Sequence, residues 1–441
     1  KGPTHLPNLH NLEVLKVRNC KGLSNLFPLH LARSLLQLRI LEIRMCEGLI
    51  QIIADEDHQV KRSSSNHCQP VGFPKLEVLT VEGCDKLKSL FSISIAQGLR
   101  QLKELKVVGA SELEELFSEE MEVDFGNEKE IVLPELSYLE LRKLPSLISF
   151  CSGSYRFILP FLEELQLEDL LGMTMGASAD LLYTMLSQGK NLQVLNVRRC
   201  NKSSAVFPTK FLVRSPDLKE VTVEDCDQIQ EIFQLDGAII EEEYMQLLPK
   251  LNTLNLRYLP ELRCIWKGPT QIVSLCNLTE VRIKSCNRLK DLFSSTLAQS
   301  MQQLQILGIH DCEELEHIIA EDDSEEMLSE SYLQSICFPK LSSLSVMECN
   351  KLKSLFSINI AKGLVQLVSL EVSKASQLKE LFSQEKEGDS GNGKQIVLPC
   401  LRELLLQELP NLISFCSGSS YFVFPCLEES KVNQCPKMTK P

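Results

Sequence analysis

An α/β solenoid of short parallel strands is the fold class this sequence predicts, and three observations predict it. One apolar phrase, L-x-x-L-x-x-L-x-V-x-x-C-x-x-L-x-x-L-F with Ile and Val exchanging for Leu, returns fifteen times along the 441 residues. The commonest distance between successive copies is 26 residues. The apolar share is 44% but the aromatic share only 6%, which suits many thin, similar leucine layers better than one globular core. A period of this size is that of a leucine-rich repeat. The expectation is one elongated domain over 1–441 of about 15 repeats, with short parallel strands on a concave face and irregular or short helical returns on a convex one.

The strands come first. The phrase is clearest at Leu9, Leu12, Leu15, Val17, Cys20, Leu23, Leu26 and Phe27, and again at Leu278, Val281, Ile283, Cys286, Leu289, Leu292 and Phe293. Its third apolar position recurs at Leu15, Leu41, Leu79, Leu105, Leu139, Leu165, Leu195, Val221, Leu254, Val281, Leu307, Leu344, Leu370, Leu404 and Ser430. Around each marker apolar and polar residues alternate, the period of a strand with one buried face. Strands this close in sequence and all running the same way must stack sideways, with the chain returning outside them.

After the strand stands a small residue, Cys in nine repeats: Cys20, Cys46, Cys84, Cys200, Cys226, Cys286, Cys312, Cys349 and Cys435. A thiol there is small enough to turn inward and can donate weakly to the backbone. Seventeen cysteines without a C-x-x-C therefore read as reduced structural residues of an intracellular protein, not as a disulfide framework. The return segments from Phe27-Pro28 to Leu35, Ser92 to Leu99, Ser294 to Met301 and Ser357 to Leu364 open on Ser or Pro and carry Ala and Leu at helical spacing. One or two helical turns are expected in each.

Six repeats exceed the base length through insertions at 54–72, 118–132, 171–189, 234–247, 320–337 and 383–397, which together carry a formal charge of −18. The whole chain is at −13, so the repeats themselves are at +5. These acidic segments suit solvated loops that keep a leucine-rich array in solution; the sharper reading is a docking edge for a basic partner. A longer copy lies over the short one. LISFCSGS at 147–154 returns at 412–419, and KLKSLFSISIAQGL at 86–99 returns as KLKSLFSINIAKGL at 351–364. The offset of 265 makes 267–441 a partial second copy of 1–266. KGPT at 1–4 matches 267–270, so the chain reads as beginning within a repeat and as a fragment of a longer protein.

The residue just after the last apolar strand position faces the concave side. Arg18, Arg44, Arg142, Arg198, Arg257 and Lys284 occupy it in six of the first ten repeats, with Lys16, Lys143, Arg199 and Arg282 beside them. No Lys or Arg occupies it in the last five repeats. This broken basic stripe is the candidate partner-contact face. The alternative is a mixed charged surface that serves solubility.

Other chemistry is excluded residue by residue. The acidic balance disfavours duplex nucleic acid, and no apolar run approaches a membrane span. GDSGNGK at 388–394 has phosphate-loop spacing, but Gln395 stands where Ser or Thr must hold Mg²⁺ and a strand phrase follows in place of a helix. His310, Asp311, Cys312 and His317, and likewise His58, His67 and Cys68, lack zinc-ligand spacing. No acid/base or nucleophile constellation is visible, so the chain reads as no enzyme, with no catalytic, cofactor or metal residue.

The L-P-x-L openings (Leu133-Pro134, Leu248-Pro249, Leu398-Pro399), the F-P-x-L openings (Phe73-Pro74, Phe338-Pro339) and LPELRCIWKGP at 259–269 give the repeats a particular stamp. With the Cys-bearing phrase and the irregular insertions, they make the whole chain resemble the C-terminal leucine-rich repeat region of plant intracellular disease-resistance receptors, of the coiled-coil nucleotide-binding type. That resemblance implies a cytoplasmic receptor in plant defence. Its repeats sense a pathogen effector or a modified host protein and hold a nucleotide-binding switch off until then. It also implies that ADP or ATP belongs to a nucleotide-binding module outside this chain, and that this module and a coiled coil are partners within the same receptor. The substrate arm of an F-box ubiquitin-ligase adaptor also uses Cys-bearing repeats. Those are more regular, with an Asp-x-Gly-Leu turn that is not found here.

Overall fold

The computed structural model describes residues 9–54, 72–118, 129–151, 155–170, 190–200, 205–235, 246–320, 337–384, 395–417 and 420–439. Most of each insertion, and the whole of GDSGNGK, lies outside the described residues. The chain forms two compact units, 1–202 and 203–441.

In the first unit the strands Val14–Arg18, Ile40–Arg44, Val78–Glu82, Glu104–Val108, Tyr138–Arg142, Glu164–Glu168 and Val194–Arg198 form one parallel sheet in sequence order. Leu15, Leu41, Leu79, Leu105, Leu139, Leu165 and Leu195 are cross-strand partners in a single row. The second unit repeats the plan with Glu220–Glu224, Thr253–Arg257, Glu280–Lys284, Ile306–His310, Ser343–Met347, Ser369–Ser373, Glu403–Gln407 and Glu429–Asn433. Its row runs Val221, Leu254, Val281, Leu307, Leu344, Leu370, Leu404, Ser430. Every sequence marker thus sits second in a five-residue strand. The second and fourth side chains point inward; Leu41, Ile43, Leu79, Val81, Leu307 and Ile309 have no solvent exposure. Each such side chain contributes roughly 1.5–3 kcal/mol of burial, so a one-residue slip would cost an entire layer.

The strand-to-turn junction is uniform. The residue after the strand adopts a left-handed conformation, as at Asn19 (φ 57°), Met45 (55°), Lys143 (54°), Tyr258 (54°) and Asp311 (56°), with Gly83 and Gly109 in the same slot. Its N–H extends the ladder by one bond to the strand-end carbonyl of the next repeat, as from Met45 to Glu82 at 2.7 Å and from Asp311 to Met347 at 2.8 Å. The following Cys then turns inward and is buried in seven of the nine Cys repeats, the exceptions being Cys20 and Cys435 after the first and last strands. In all nine Cys repeats the thiol donates back to the strand-end carbonyl two residues earlier, at 3.3 Å for Cys200 to Arg198 and Cys226 to Glu224 and at 3.7 Å for Cys84 to Glu82. The thiol occupies the donor role that the sequence assigns to it.

The returns carry more order than their sequence suggests. Short helices form at Leu29–Ala32, Ile93–Ala96, Ser295–Ser300 and Ile358–Gly363, within the segments expected to turn, and also at Thr209–Arg214. Ser294 caps its helix by accepting from the Leu297 N–H. Before the helices, a second set of short parallel strands pairs across the back, among them Asn25–Pro28 with Gln51–Ala54 and Ala205–Pro208 with Glu231–Gln234 and Cys264–Lys267. Aromatic rings stack along this side. Phe27, Phe73 and Phe91 lie 6.3 and 5.4 Å apart, and in the second unit Phe207, Phe233 and the sole tryptophan, Trp266, lie 5.4 and 4.5 Å apart. Two insertions are shorter than the spacing alone implies. Lys129–Val132 and Gln395–Val397 are back strands paired with Tyr155–Ile158 and Tyr421–Val423, because their Ile-Val-Leu runs have an apolar face to bury.

Candidate protein-recognition face

The first, third and fifth side chains of each strand share the open face of the sheet. Of the ten basic candidates, Arg18, Arg44, Arg142, Arg198, Arg257 and Lys284 hold fifth positions, and Lys16 and Arg282 hold third positions. Lys143 and Arg199 are the left-handed residues just beyond their strands. Cross-strand register brings Arg18 beside Arg44 and Arg257 beside Lys284. Between Arg44 and Arg142 lie Glu82 and Val108, and Glu168 separates Arg142 from Arg198. The ten residues are therefore grouped, not strung in one stripe.

Most of them are neutralised on the face itself. Glu42 takes Lys16 at 2.7 Å and Arg18 at 3.1 Å and lies 3.8 Å from Arg44, whose other nitrogen meets Glu82 at 3.2 Å. The hydrogen bond from Lys16, then that from Arg18, outweighs partial burial and holds the Glu42 carboxyl below the usual range. Arg142 bridges Glu140 at 3.0 Å and also Glu168, and those two hydrogen bonds raise its guanidinium pKa further. Glu168 in turn takes Arg199, which also reaches Asp169 at 2.6 Å. Tyr138 donates to Glu140 at 2.9 Å, and burial, then this contact, pushes its hydroxyl far above the usual phenol range. Arg282 pairs with Glu280. Pairs of this partly exposed kind are worth about 1 kcal/mol or less, and their effect is to fix neighbouring repeats side by side.

Glu42, Glu140 and Glu168 are the residues of this face that reading along the chain passes over. Each sits one repeat or two residues from its cation, so the signal lies in columns, and columns require each repeat's length to be known. Arg257 and Lys284 differ from the rest. Neither has a carboxylate within ion-pairing distance among the described residues, and the Lys284 ammonium lies 5.2 Å from the centroid of the Tyr258 ring. Contact with the Tyr258 hydroxyl raises the Lys284 pKa. Lys143 is exposed and likewise has no carboxylate partner among the described residues.

Beyond Lys284 the face lacks a side chain at one point. Gly308 occupies a third position, and a Cβ built there would meet only His310 Nε2, at 4.0 Å. His310 Nε2 contacts Ser345 Oγ at 3.1 Å, and Ser345 Oγ donates to Glu371 at 3.2 Å. This is not a hydrolytic triad, because the carboxylate meets the serine and not the imidazole. Burial lowers the His310 pKa. His317 lies elsewhere, on the back strand His317–Ile319, 3.0 Å from Asp291. Burial pushes the Cys84 and Cys200 thiols up to about 11, which disfavours the thiolate that nucleophilic chemistry needs. Among the described residues no group of His, Cys, Asp or Glu is arranged to hold a metal, and no helix is long and apolar enough to cross a membrane.

Comparison with known proteins adds to this geometry. The family described as plant disease resistance protein RPS2-like, leucine-rich repeats, matches residues 1–47, 50–170, 161–313 and 314–440. A probable disease resistance protein of Arabidopsis thaliana is 45% identical over 157 residues, 35% of this chain and 16% of that protein. A second from the same plant is 36% identical over 109 residues, 24% of this chain and 11% of that protein. The matched stretches thus span less than a fifth of either relative. Among solved structures, an internalin of Listeria monocytogenes is similar at 14% identity and a TM-score of 0.29, over 72% of this chain and 82% of its own. The mouse RP105/MD-1 complex is similar at 14% identity and a TM-score of 0.26, over 98% of this chain and 76% of its own.

Proposed function

This chain belongs to the leucine-rich repeat family of RPS2-like plant disease resistance proteins, and from that premise we propose that it is the protein-recognition and autoinhibitory sensor region of a plant immune receptor. Its partners on this reading are a pathogen effector or a modified host protein, and the nucleotide-binding and coiled-coil modules of the same receptor. ADP or ATP would be held by the nucleotide-binding module and not by these repeats. The receptor would act in the cytoplasm, and the chain would carry out no catalysis of its own.

The observation that carries this reading is the pair of parallel sheets in unbroken register, whose open faces are polar and pre-arranged. A rigid face of fixed columns binds a protein with little ordering cost, and insertions of unequal length between strands change cheaply. The charge on the face favours a partner whose surface is complementary to it.

The test is co-precipitation of this chain with the nucleotide-binding module of its receptor, at low and high salt. Binding that weakens as salt rises is the expected result. A folded chain that fails to bind the module at either salt overturns the autoinhibitory part of the proposal.

A further inference from the structure

We propose that the open face of the second unit, around Gly308, is a binding site for the carboxylate side chains of an extended acidic peptide segment on the partner. The inference rests on the recognition role proposed above and assigns it a place and a chemistry.

Two pairs of cations stand side by side in register on the open faces, Arg18 with Arg44 and Arg257 with Lys284. Like charges directly opposite one another on neighbouring strands destabilise a sheet. The first pair is relieved by Glu42, which reaches both arginines. The second has no such bridge. Glu224 neighbours Arg257 in register without an ion pair, and Lys284, whose ammonium lies 5.2 Å from the Tyr258 ring centroid, feels Asp311 and Glu348 only beyond ion-pairing distance. A cationic pair with no ion-paired carboxylate among the described residues leaves positive charge for an anion from outside to meet.

The relief of the surface also fits such a ligand. In the row of third positions Arg282 is followed by Gly308 and Ser345, then by Glu371. The missing side chain at Gly308 leaves room above the strand for at least a Cβ, which would lie 4.0 Å from His310 Nε2, with Arg282 and Lys284 on one neighbouring strand and Ser345 on the other. A carboxylate entering this notch meets exposed Lys284 and the outer side of Arg282, which also pairs with Glu280, and lies beside the His310–Ser345 pair, whose 3.1 Å contact holds both side chains in place. The Tyr258 ring, 40% exposed, offers a flat apolar surface for the peptide chain beside it. The carboxylate at Glu371 closes the far side of the notch by repulsion, which sets its width at two repeats.

The experiment measures fluorescence anisotropy of a labelled peptide alternating Glu and Gly, with its Gln counterpart as control, on the intact chain. The Glu peptide is expected to bind at least about tenfold more tightly than the Gln peptide, and Lys284→Gln or Arg257→Gln to weaken it about tenfold. Gly308→Leu, which fills the notch without changing charge, is expected to weaken it similarly. A thermal melt reports whether each variant folds, and the two Gln variants carry the test if Gly308→Leu does not. Lys351→Gln, at a surface pair with Glu314, is the control and leaves affinity unchanged. Equal binding of the two peptides, or an equal loss in Lys351→Gln, overturns the proposal. Salt-sensitive binding of the nucleotide-binding module by the same preparations would then leave the recognition role standing without this site.

Discussion

Lys16 and Glu42, one repeat apart, meet at 2.7 Å on the open face, and the same carboxylate receives Arg18 at 3.1 Å. Glu42 is therefore a bridge between repeats. Its folded pKa lies below the usual value because both cations favour the ionised form. The stability it adds is present above the unfolded carboxyl value and is lost as pH falls through the lower folded one. Glu42→Gln is expected to cost about 1 kcal/mol or less at neutral pH and to flatten the loss of stability in acid. Denaturant unfolding at neutral and acidic pH reads both effects; an unchanged acid profile would contradict the bridge.

Arg142 lies between Glu140 and Glu168, both largely buried, with 8% exposure each. Arg142→Glu brings three carboxylates together and leaves only Arg199 on Glu168, so it destabilises the fold by more than the loss of one exposed pair, that is by more than about 1 kcal/mol. Arg257→Glu, at a site with no carboxylate partner, leaves the midpoint of denaturation nearly unchanged. A comparison of the two melts separates a cation that holds repeats together from one that is free to bind.

Left-handed residues differ in what they tolerate. Gly109 has φ 63° and room for a Cβ, so Gly109→Ala costs only the backbone preference, about 1–2 kcal/mol. Gly268 has φ 108°, and a Cβ there would collide with the Leu235 carbonyl oxygen. Gly268→Ala must displace the back strand and is expected to cost clearly more. Equal losses in chemical denaturation would show that the close approach at Leu235 does not constrain the turn.

Leu344 is 1% exposed, whereas Leu15, on the first strand, is only partly covered. Leu344→Asp buries an unpaired carboxylate between layers and opens adjacent repeats to protease. Leu15→Asp does so to a smaller degree, because water reaches that layer. Limited proteolysis with mapping of the first cuts distinguishes the two.

The thiols give a direct readout of the native turns. Cys20, Cys276, Cys400 and Cys426 are exposed, while Cys84, Cys200, Cys286, Cys312 and Cys349 are buried. A thiol reagent is expected to label the first group in the folded chain and the second only after unfolding. Labelling of Cys84 at the rate of Cys276 would place that turn outside the core.

The strands and the cysteine turns were legible because a period of two and a small residue at a fixed offset are local signals. Leu79 announces its strand without reference to any other repeat. The back strands were not legible, since a pair such as Phe91-Ser92 is too short to show a period. The face was half legible. Arg142 stands out as a charge in a strand, but its partner Glu168 lies in the next repeat, and nothing local says that the two meet. Gly308 carries no signal in isolation; it becomes a notch only beside Arg282 and Ser345.

Leu41 is aligned with Leu15 across a 26-residue repeat and with Leu79 across a 38-residue one, with no shift of register. Position on the face is therefore an address of two numbers, repeat and strand place, and the length of chain between strands does not enter it. Such a surface can be rewritten one address at a time, or lengthened by copying a block, while every other address keeps its neighbours. A lineage that must keep pace with changing partners could edit this face without renegotiating the fold.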